Sequence, residues 1–512
     1  MRRFPHPTFL VVAVVAAAGC SDPEAFPDPT PRTARIVEGA TIGSLGVPFD
    51  ALVEDLVGPG DVEATSGRPP EIVAVPDGNE LEVLFQDHSG APRPRSFVVR
   101  LTPVEEGYAV TRALEVPTLD RIAGFALDDA GRFVVATAID ESRRRTVSAE
   151  EPPRGLHRSN VVRLFVIDPE TAATRLDVDV DLARGAADPS SEPLVDPMAS
   201  STSRLAVGDG LAGLLLGHRT APDATGQRSQ KAVATYVDLA SGAVVATSSV
   251  WASHSFDQRL VHDESGFLEL HLADAYPRGV VLARGVPGAE PYPLFAIKGP
   301  RGETNTRTRL GDVVAIPESE DPEHGYLALF ATEATTTTSP LAPTPGHPLV
   351  SGSRDLALVR IRRDFAAHAP DAGGYLDPSL PDALVVDSAG TTVTNRVRFL
   401  TRYQEELPGL RHAERPKLVA VGEDRYVVLF ERWSWNLAAN AFGFDGTFGL
   451  VVDAHGAIVR GEARVTAAHL PRGDGAFAWN GRAAFVTGDA TKRKLVIHLV
   501  DASLRYSAYA VD

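Results

Sequence analysis

Cysteine is almost absent: Cys20 is the only one in 512 residues, so no disulfide can form within one chain. A folded domain in an oxidising compartment gains nothing from a stray reactive thiol, and the position of Cys20 therefore needs a reason. Positive charge is also scarce. Lys and Arg number 50 against 67 Asp and Glu, a formal net charge of −17. The densest basic cluster, Arg143–Arg145, is flanked by Glu141 and Glu150. Such a surface repels phosphate backbones, which excludes nucleic acid as a partner. No apolar segment reaches the roughly twenty residues of a membrane span. Catalytic signatures are missing too: the chain has no G-x-S-x-G elbow, no phosphate-binding glycine loop and no H-E-x-x-H.

The N-terminus combines the basic residues Arg2 and Arg3, the apolar stretch Phe9–Ala18, and the small residues Ala17, Ala18 and Gly19 directly before Cys20. The apolar stretch is half the length of a permanent span. This arrangement resembles the signal peptide and lipobox of bacterial lipoproteins, with Ala17 where the motif usually has Leu. The resemblance covers the first twenty residues. It implies cleavage after residue 19 and lipidation of Cys20, palmitate among the acyl chains, with several chains anchoring the protein where one would hold only marginally. Ser21 after the Cys implies, by analogy with lipoprotein sorting, the outer membrane of a Gram-negative envelope. Residues 20–34 continue as a Pro- and acid-rich tether, stiff and solvated.

From residue 35 to 512 the sequence reads as one repetitive all-β domain. A polar turn followed by an apolar-rich run recurs seven times. The turns are 76–79, 128–131, 208–210, 263–266, 320–325, 422–424 and 479–481, and the runs are 81–87, 132–140, 211–218, 267–274, 326–333, 425–432 and 482–489. A second strand-like segment follows each, at 95–101, 160–168, 231–238, 293–299, 355–361, 448–453 and 494–501. Short Val- and Leu-rich runs between Asp/Gly turns are strands; only Leu211–Gly217 reads equally as helix. Four strands per unit, repeated at roughly 50–60 residues, predict a β-propeller of seven blades, with six to eight open. An eighth blade fits around Ala383–Leu400. Arg35–Gly43 can supply a strand to the last blade and so close the ring. Two β-sandwiches are the rival architecture. The chain resembles bacterial propeller proteins in outline but carries no WD40, Asp-box or repeated kelch signature. The segment from His254 to Gly279 resembles secreted bacterial proteins and implies no activity.

Equivalent positions in a propeller form rings. The residues closing the apolar runs are Asp87, Asp140, His218, Asp274, Glu333, Glu431 and Asp489. Their carboxylates at one level suit Ca²⁺, a hard cation preferring oxygen ligands; the plain alternative is solvated acids at strand ends. Trp251–Gly279 gathers His254, Asp257, His262, His271, Asp274, Tyr276 and Arg278, residue types for a metal site or an acid–base pair, though no spacing matches a ligand motif. Asp177, Asp179 and Asp181 alternate along one strand face and fail the EF-hand pattern, which fits a charged outer edge. Trp433, Trp435, Phe442, Phe444 and Phe448 read as a sugar-stacking surface or as a core cluster. The functional expectation is a tethered binding or scaffold module for a protein or small ligand. The alternative is a propeller hydrolase or lyase acting on carbohydrate or peptide at the central channel; a purely structural envelope role is the third.

Overall fold

The computed structural model describes residues 33–48, 72–87, 95–118, 121–138, 161–181, 194–195, 204–219, 230–250, 258–273, 279–285, 290–296, 308–333, 353–386, 392–407, 410–439, 441–471, 476–489 and 491–512. The chain is a seven-bladed β-propeller of antiparallel sheets. Blade 1 holds β2 (Ile72–Asp77), β3 (Glu80–Asp87), β4 (Arg95–Val104) and β5 (Gly107–Val116). Its outer edge takes an extra strand, β1 (Arg35–Ile36). Blade 2 holds β6 (Arg121–Leu127), β7 (Phe133–Ala138), β8 (Val161–Ile167) and β9 (Thr174–Asp181). Blade 3 adds β10 (Leu194–Val195) to β11 (Arg204–Gly208), β12 (Leu211–Arg219), β13 (Gln230–Asp238) and β14 (Val244–Val250). Blade 4 holds β15 (Gln258–Asp263), β16 (Gly266–Ala273), β17 (Gly279–Arg284) and β18 (Tyr292–Ala296).

Blade 5 holds β19 (Arg309–Ala315), β20 (His324–Glu333) and β21 (Arg354–Arg362). A separate hairpin, β22 (Asp382–Val386) with β23 (Thr392–Arg396), precedes its short outer strand β24 (Arg398–Phe399). Blade 6 holds β25 (Arg411–Gly422), β26 (Arg425–Asn436), β27 (Ala441–Val452) and β28 (Ile458–Thr466). Blade 7 holds β29 (Phe477–Trp479), β30 (Arg482–Asp489), β31 (Lys494–Val500) and β32 (Tyr506–Val511). The first strand of each blade touches the first strand of the next, and β29 touches β2, so the first strands form the inner wall of a closed ring.

Alternation along each strand explains where the core sits. Leu81, Val83 and Phe85 face blade 7, whereas Glu82, Leu84 and Gln86, displaced by one residue, point to the opposite side. Every strand in the middle of a blade therefore buries both faces. Among the described residues the result is an apolar cluster at each seam between neighbouring blades, with a further small one, Val281 and Ala283, in blade 4. Recurrent Asp residues fold the tight turns: Asp128, Asp168, Asp453 and Asp501 each accept backbone N–H bonds from residues two to four positions later.

All seven apolar runs are second strands of blades, Leu211–Gly217 included. Three expectations need correction. The segment 293–299 is not the third strand of blade 4: its described part, 293–296, lies in the fourth, because Gly279–Arg284 pairs with β16 first. Among the described residues no eighth blade stands around Ala383–Leu400: β22 and β23 form a two-stranded sheet that docks on blade 4 through Asn395 and Ala296, and β24 is the outer edge of blade 5. Arg35–Gly43 does not enter the last blade, whose four strands are completed by Tyr506–Val511. Its strand pairs instead with β5, fixed where Arg35 meets Glu115 at 2.7 Å.

The ring thus closes without sharing a blade between the chain ends, and residues 33–48 lie over the seam as a strap. A one-turn helix, Ile42–Leu45, starts at Thr41, whose hydroxyl accepts the Ser44 N–H while the Ser44 hydroxyl accepts the Thr41 N–H. Ile42 and Leu45 are buried among Phe97, Trp479 and Ile497, contributed by both end blades. The Val47 N–H then donates to Asp87 at 3.1 Å. Leu45→Asp buries an unpaired charge there, with an expected cost of about 3 kcal/mol. Urea unfolding checks the loss, and faster amide exchange in β5 and β31 checks that the seam is where it acts.

Blade 7 also carries a pH dependence. His498 lies stacked on Phe485 at 4.3 Å and bonds Thr487 and Tyr506 at 2.9 and 2.8 Å. Burial lowers its pKa from 6.5 to about 4. The unfolded chain takes up this proton first, so the contribution is complete above pH 6.5 and is lost as pH falls towards 4, on the order of 3 kcal/mol. Melting curves across that window should slope less steeply for His498→Gln than for the native chain.

Candidate functional site

Antiparallel four-stranded blades divide their connections between two faces. Turns joining strands one to two and three to four leave one face, here the turn face. Connections joining strands two to three and successive blades leave the other, here the loop face. Most turn-face connections are short, as at Gly78–Asn79 or Asn480–Gly481; the exception is blade 5, where residues 363–397 and the β22–β23 hairpin join β21 to β24. The loop-face connections include residues 139–160, 220–229, 297–307 and 334–352, which lie outside the described residues.

Of the proposed carboxylate ring, Asp140 and Asp274 lie outside the described residues, and Glu333 is placed only as the last residue of β20. The other three have local partners. Asp87 holds the strap through Val47, and Asp489 accepts the Lys492 N–H at 3.0 Å and pairs with its ammonium at 3.2 Å. Glu431 is fully buried and accepts from Arg415, His469, the Leu470 N–H and Trp433 at 2.9–3.1 Å. Burial pushes its carboxyl up, but the Arg415 charge and these hydrogen bonds prevail and hold it below the usual range. Among the described residues no three His, Cys, Asp or Glu side chains converge as metal ligands.

In blade 4, His254, Tyr276 and Arg278 lie outside the described residues with Asp274. The two described histidines are not brought together. His262 is on the turn side, bonded to Asp209 at 3.0 Å and edge-on to Phe267. His271 pairs in register with Gln258, about 13 Å further along β15. It is fully buried, with Nε2 3.1 Å from Glu269, whose other oxygen accepts the Tyr236 hydroxyl at 2.7 Å. This Tyr–Glu–His string crosses the seam between blades 3 and 4, where the apolar cluster is small. The carboxylate accepts from Nε2, and Nδ1 has no hydrogen-bond partner among the described residues. Burial, then the Glu269 charge, raises the Tyr236 pKa far above its ordinary value. The alternation F-L-E-L-H encodes Glu269 and His271 on one face, but nothing in sequence pairs them with Tyr236.

The inner wall of blades 4–6 holds a second polar group. Arg259 lies 3.6 Å from Asp312 and donates to the Leu310 carbonyl at 2.8 Å, while Asp312 accepts the Leu418 N–H at 3.3 Å. Towards the loop face Glu414 joins Arg354 and, at 3.5 Å, Arg309, and Lys417 is buried beside them on the same strand. On the turn face Arg360 binds Asp321, Asp377 and His455, and His324 lies between the two aspartates. Burial outweighs those carboxylates and keeps the His324 pKa below its ordinary value. None of these groups was legible in the sequence, because their members come from different blades. The Trp433 group is a packed cluster: Trp433 is buried on Phe444, which stacks on His469 at 3.8 Å.

The sequence matches no protein-family model and no curated protein. Solved structures similar to it include the β-propeller domain of the Trilobed protease from Pyrococcus furiosus, described as having an open velcro topology. It is 8% identical, with a TM-score of 0.34, over 87% of this chain and 94% of that one. Pyrococcus horikoshii acylaminoacyl peptidase is 8% identical, with a TM-score of 0.36, over 86% of this chain and 51% of that one. A thermostable family-43 glycoside hydrolase is 10% identical, with a TM-score of 0.27, over 60% and 88%. No activity is carried over from them.

Tyr236→Phe removes the donor to a buried carboxylate, and the expected loss is about 1.5–3 kcal/mol in urea unfolding, typical of a bond to a charged group. An unchanged midpoint would show that Glu269 does not depend on this bond.

Proposed function

We propose that the chain is an exported lipoprotein, anchored at Cys20 in the cell envelope, whose propeller is a binding module acting through its loop face. The observation carrying this reading is the uneven division of connections: most turn-face connections are tight Asp- and Gly-built turns, residues 363–397 of blade 5 excepted, whereas long connections recur on the loop face in blades 2, 3 and 5 and between blades 4 and 5. A rigid ring beneath variable loops is an arrangement suited to recognition. The buried acids support binding over catalysis, since Glu431, Glu414 and Asp377 are each held by arginine within the scaffold. The hydrolase or lyase reading keeps one observation in its favour, the Glu269–His271 pair with its open Nδ1.

Cys20→Ser is expected to release the folded protein from the membrane fraction, and mass spectrometry should find acyl chains on the N-terminal peptide of the native form alone. Membrane retention of the variant overturns the anchor. A photo-crosslinker at Lys492, exposed on the loop face, should capture the native partner where one at Asn79 on the turn face does not. Equal capture from both faces removes the loop-face assignment.

A further inference from the structure

A cavity of about 540 Å³ lies on the outer side of blade 1, away from the loop-face site, enclosed by the strap at Ile36–Ala40, by β4 and β5, and by Glu170 from the turn between β8 and β9. Val37, Val110 and Ala113 give it an apolar side, and Thr102, Thr111, Arg100 and Arg112 a polar one. The two guanidinium groups do not make it an anion site, because carboxylates already hold them. Arg100 contacts Asp77 and Glu80 at 3.0 Å and Glu82 at 2.5 Å. Arg112 contacts Glu82 at 2.7 Å and also Glu170. With Glu38 in the wall, two cations face five carboxylates: Glu38, Asp77, Glu80, Glu82 and Glu170.

Hydrogen bonding in and behind the wall is incomplete. The Thr102 hydroxyl donates to Glu80 at 2.7 Å, and Thr111 lies 2.8 Å from Thr102. Among the described residues Arg112 Nε is a buried donor without an acceptor, and Glu82 Oε2 is a buried oxygen without a donor. Glu82 is fully buried directly behind the two arginines that line the cavity. Burial raises its pKa despite both guanidinium groups.

We propose that this cavity binds a small organic cation rich in N–H donors, a polyamine or amino sugar, between the strap and blade 1. The ammonium groups pair with Glu80, Glu170 and Glu38, and the carbon skeleton lies on Val37, Val110 and Ala113. The strap also closes the ring, so an occupant holds β1 against β5 and slows exchange of the amides there.

The test is calorimetric titration of the full chain in detergent with spermidine and with glucosamine, using inorganic phosphate as the anionic control. One saturable site is expected for at least one of the two cations and none for phosphate. Glu80→Gln combined with Glu170→Gln should weaken the cation at least tenfold. Ala40→Trp, which leaves the charge unchanged but fills the space, should abolish binding, and melting curves confirm that both variants fold. Asp371→Asn with Glu405→Gln removes the same charge elsewhere and should leave the affinity unchanged. An equal loss in that control means diffuse attraction to an acidic protein and overturns the site. Phosphate binding, or no saturable binding of either cation, overturns it as well.

Discussion

Closing the ring between two ends of the chain that share no blade is the constraint on which the rest of this structure depends. Where a terminal strand completes the opposite blade, backbone hydrogen bonds hold the circle. Here β29–β32 and β2–β5 are each complete, so side chains must hold the join. Trp479, Ile497 and Leu499 from blade 7 meet Phe85, Phe97 and Leu101 from blade 1, and Ile42 and Leu45 of the strap pack into the same cluster. A conserved amount of apolar burial is therefore not enough on its own; the strap must also stay in register, and Arg35 on Glu115 and Val47 on Asp87 fix its two ends.

The same dependence on seams explains where the charge is buried. A blade with apolar residues on both faces slides easily against its neighbour, whereas a buried ion pair tolerates one alignment, because a displaced partner leaves an unsatisfied charge in low dielectric. Glu269 of blade 4 takes Tyr236 of blade 3, and Arg360 of blade 5 takes acids from its own blade and a histidine from blade 6. Such groups add modest net stability. Their effect is to set the height of one blade relative to the next.

The fold was largely legible because a propeller repeats. Alternating runs such as Leu81–Asp87 and Arg425–Arg432 carry the second strand of every blade, and their recurrence gives the blade number. Blade 4 was misread where the long sequence between His254 and Gly279 drew attention as a site, although Gly279–Arg284 is its third strand. The strap was misplaced because Arg35–Ile36 has a β pattern that fits any open edge, and only the completed last blade decides between them. The site was far less legible. Glu269 and His271 were recognisable as a same-face pair, and His271 was named, but Tyr236 lies in another blade. Glu431 was read as one of a ring of equivalent acids. Its equivalence is positional only, because His469 comes from the connection leaving blade 6 and Arg415 from an irregularity in the register of β25, features that no repeat encodes.

The strap gives the proposed anchor a mechanical consequence. Chain arriving from Cys20 meets the domain at Ala34, buried between blades 1 and 2, and at Arg35, the outer end of the element that closes the ring. Tension on such a tether acts first on Ala34 and the two-residue strand β1, against its ion pair with Glu115 and its backbone bonds to β5. It reaches Ile42 and Leu45 only after β1 has peeled away. Two residues of strand are a weak attachment by themselves, so the buried helix behind them, and not the visible β pairing, determines whether the ring remains shut. A cation seated between the strap and blade 1 would add to the first of these barriers and leave the second unchanged.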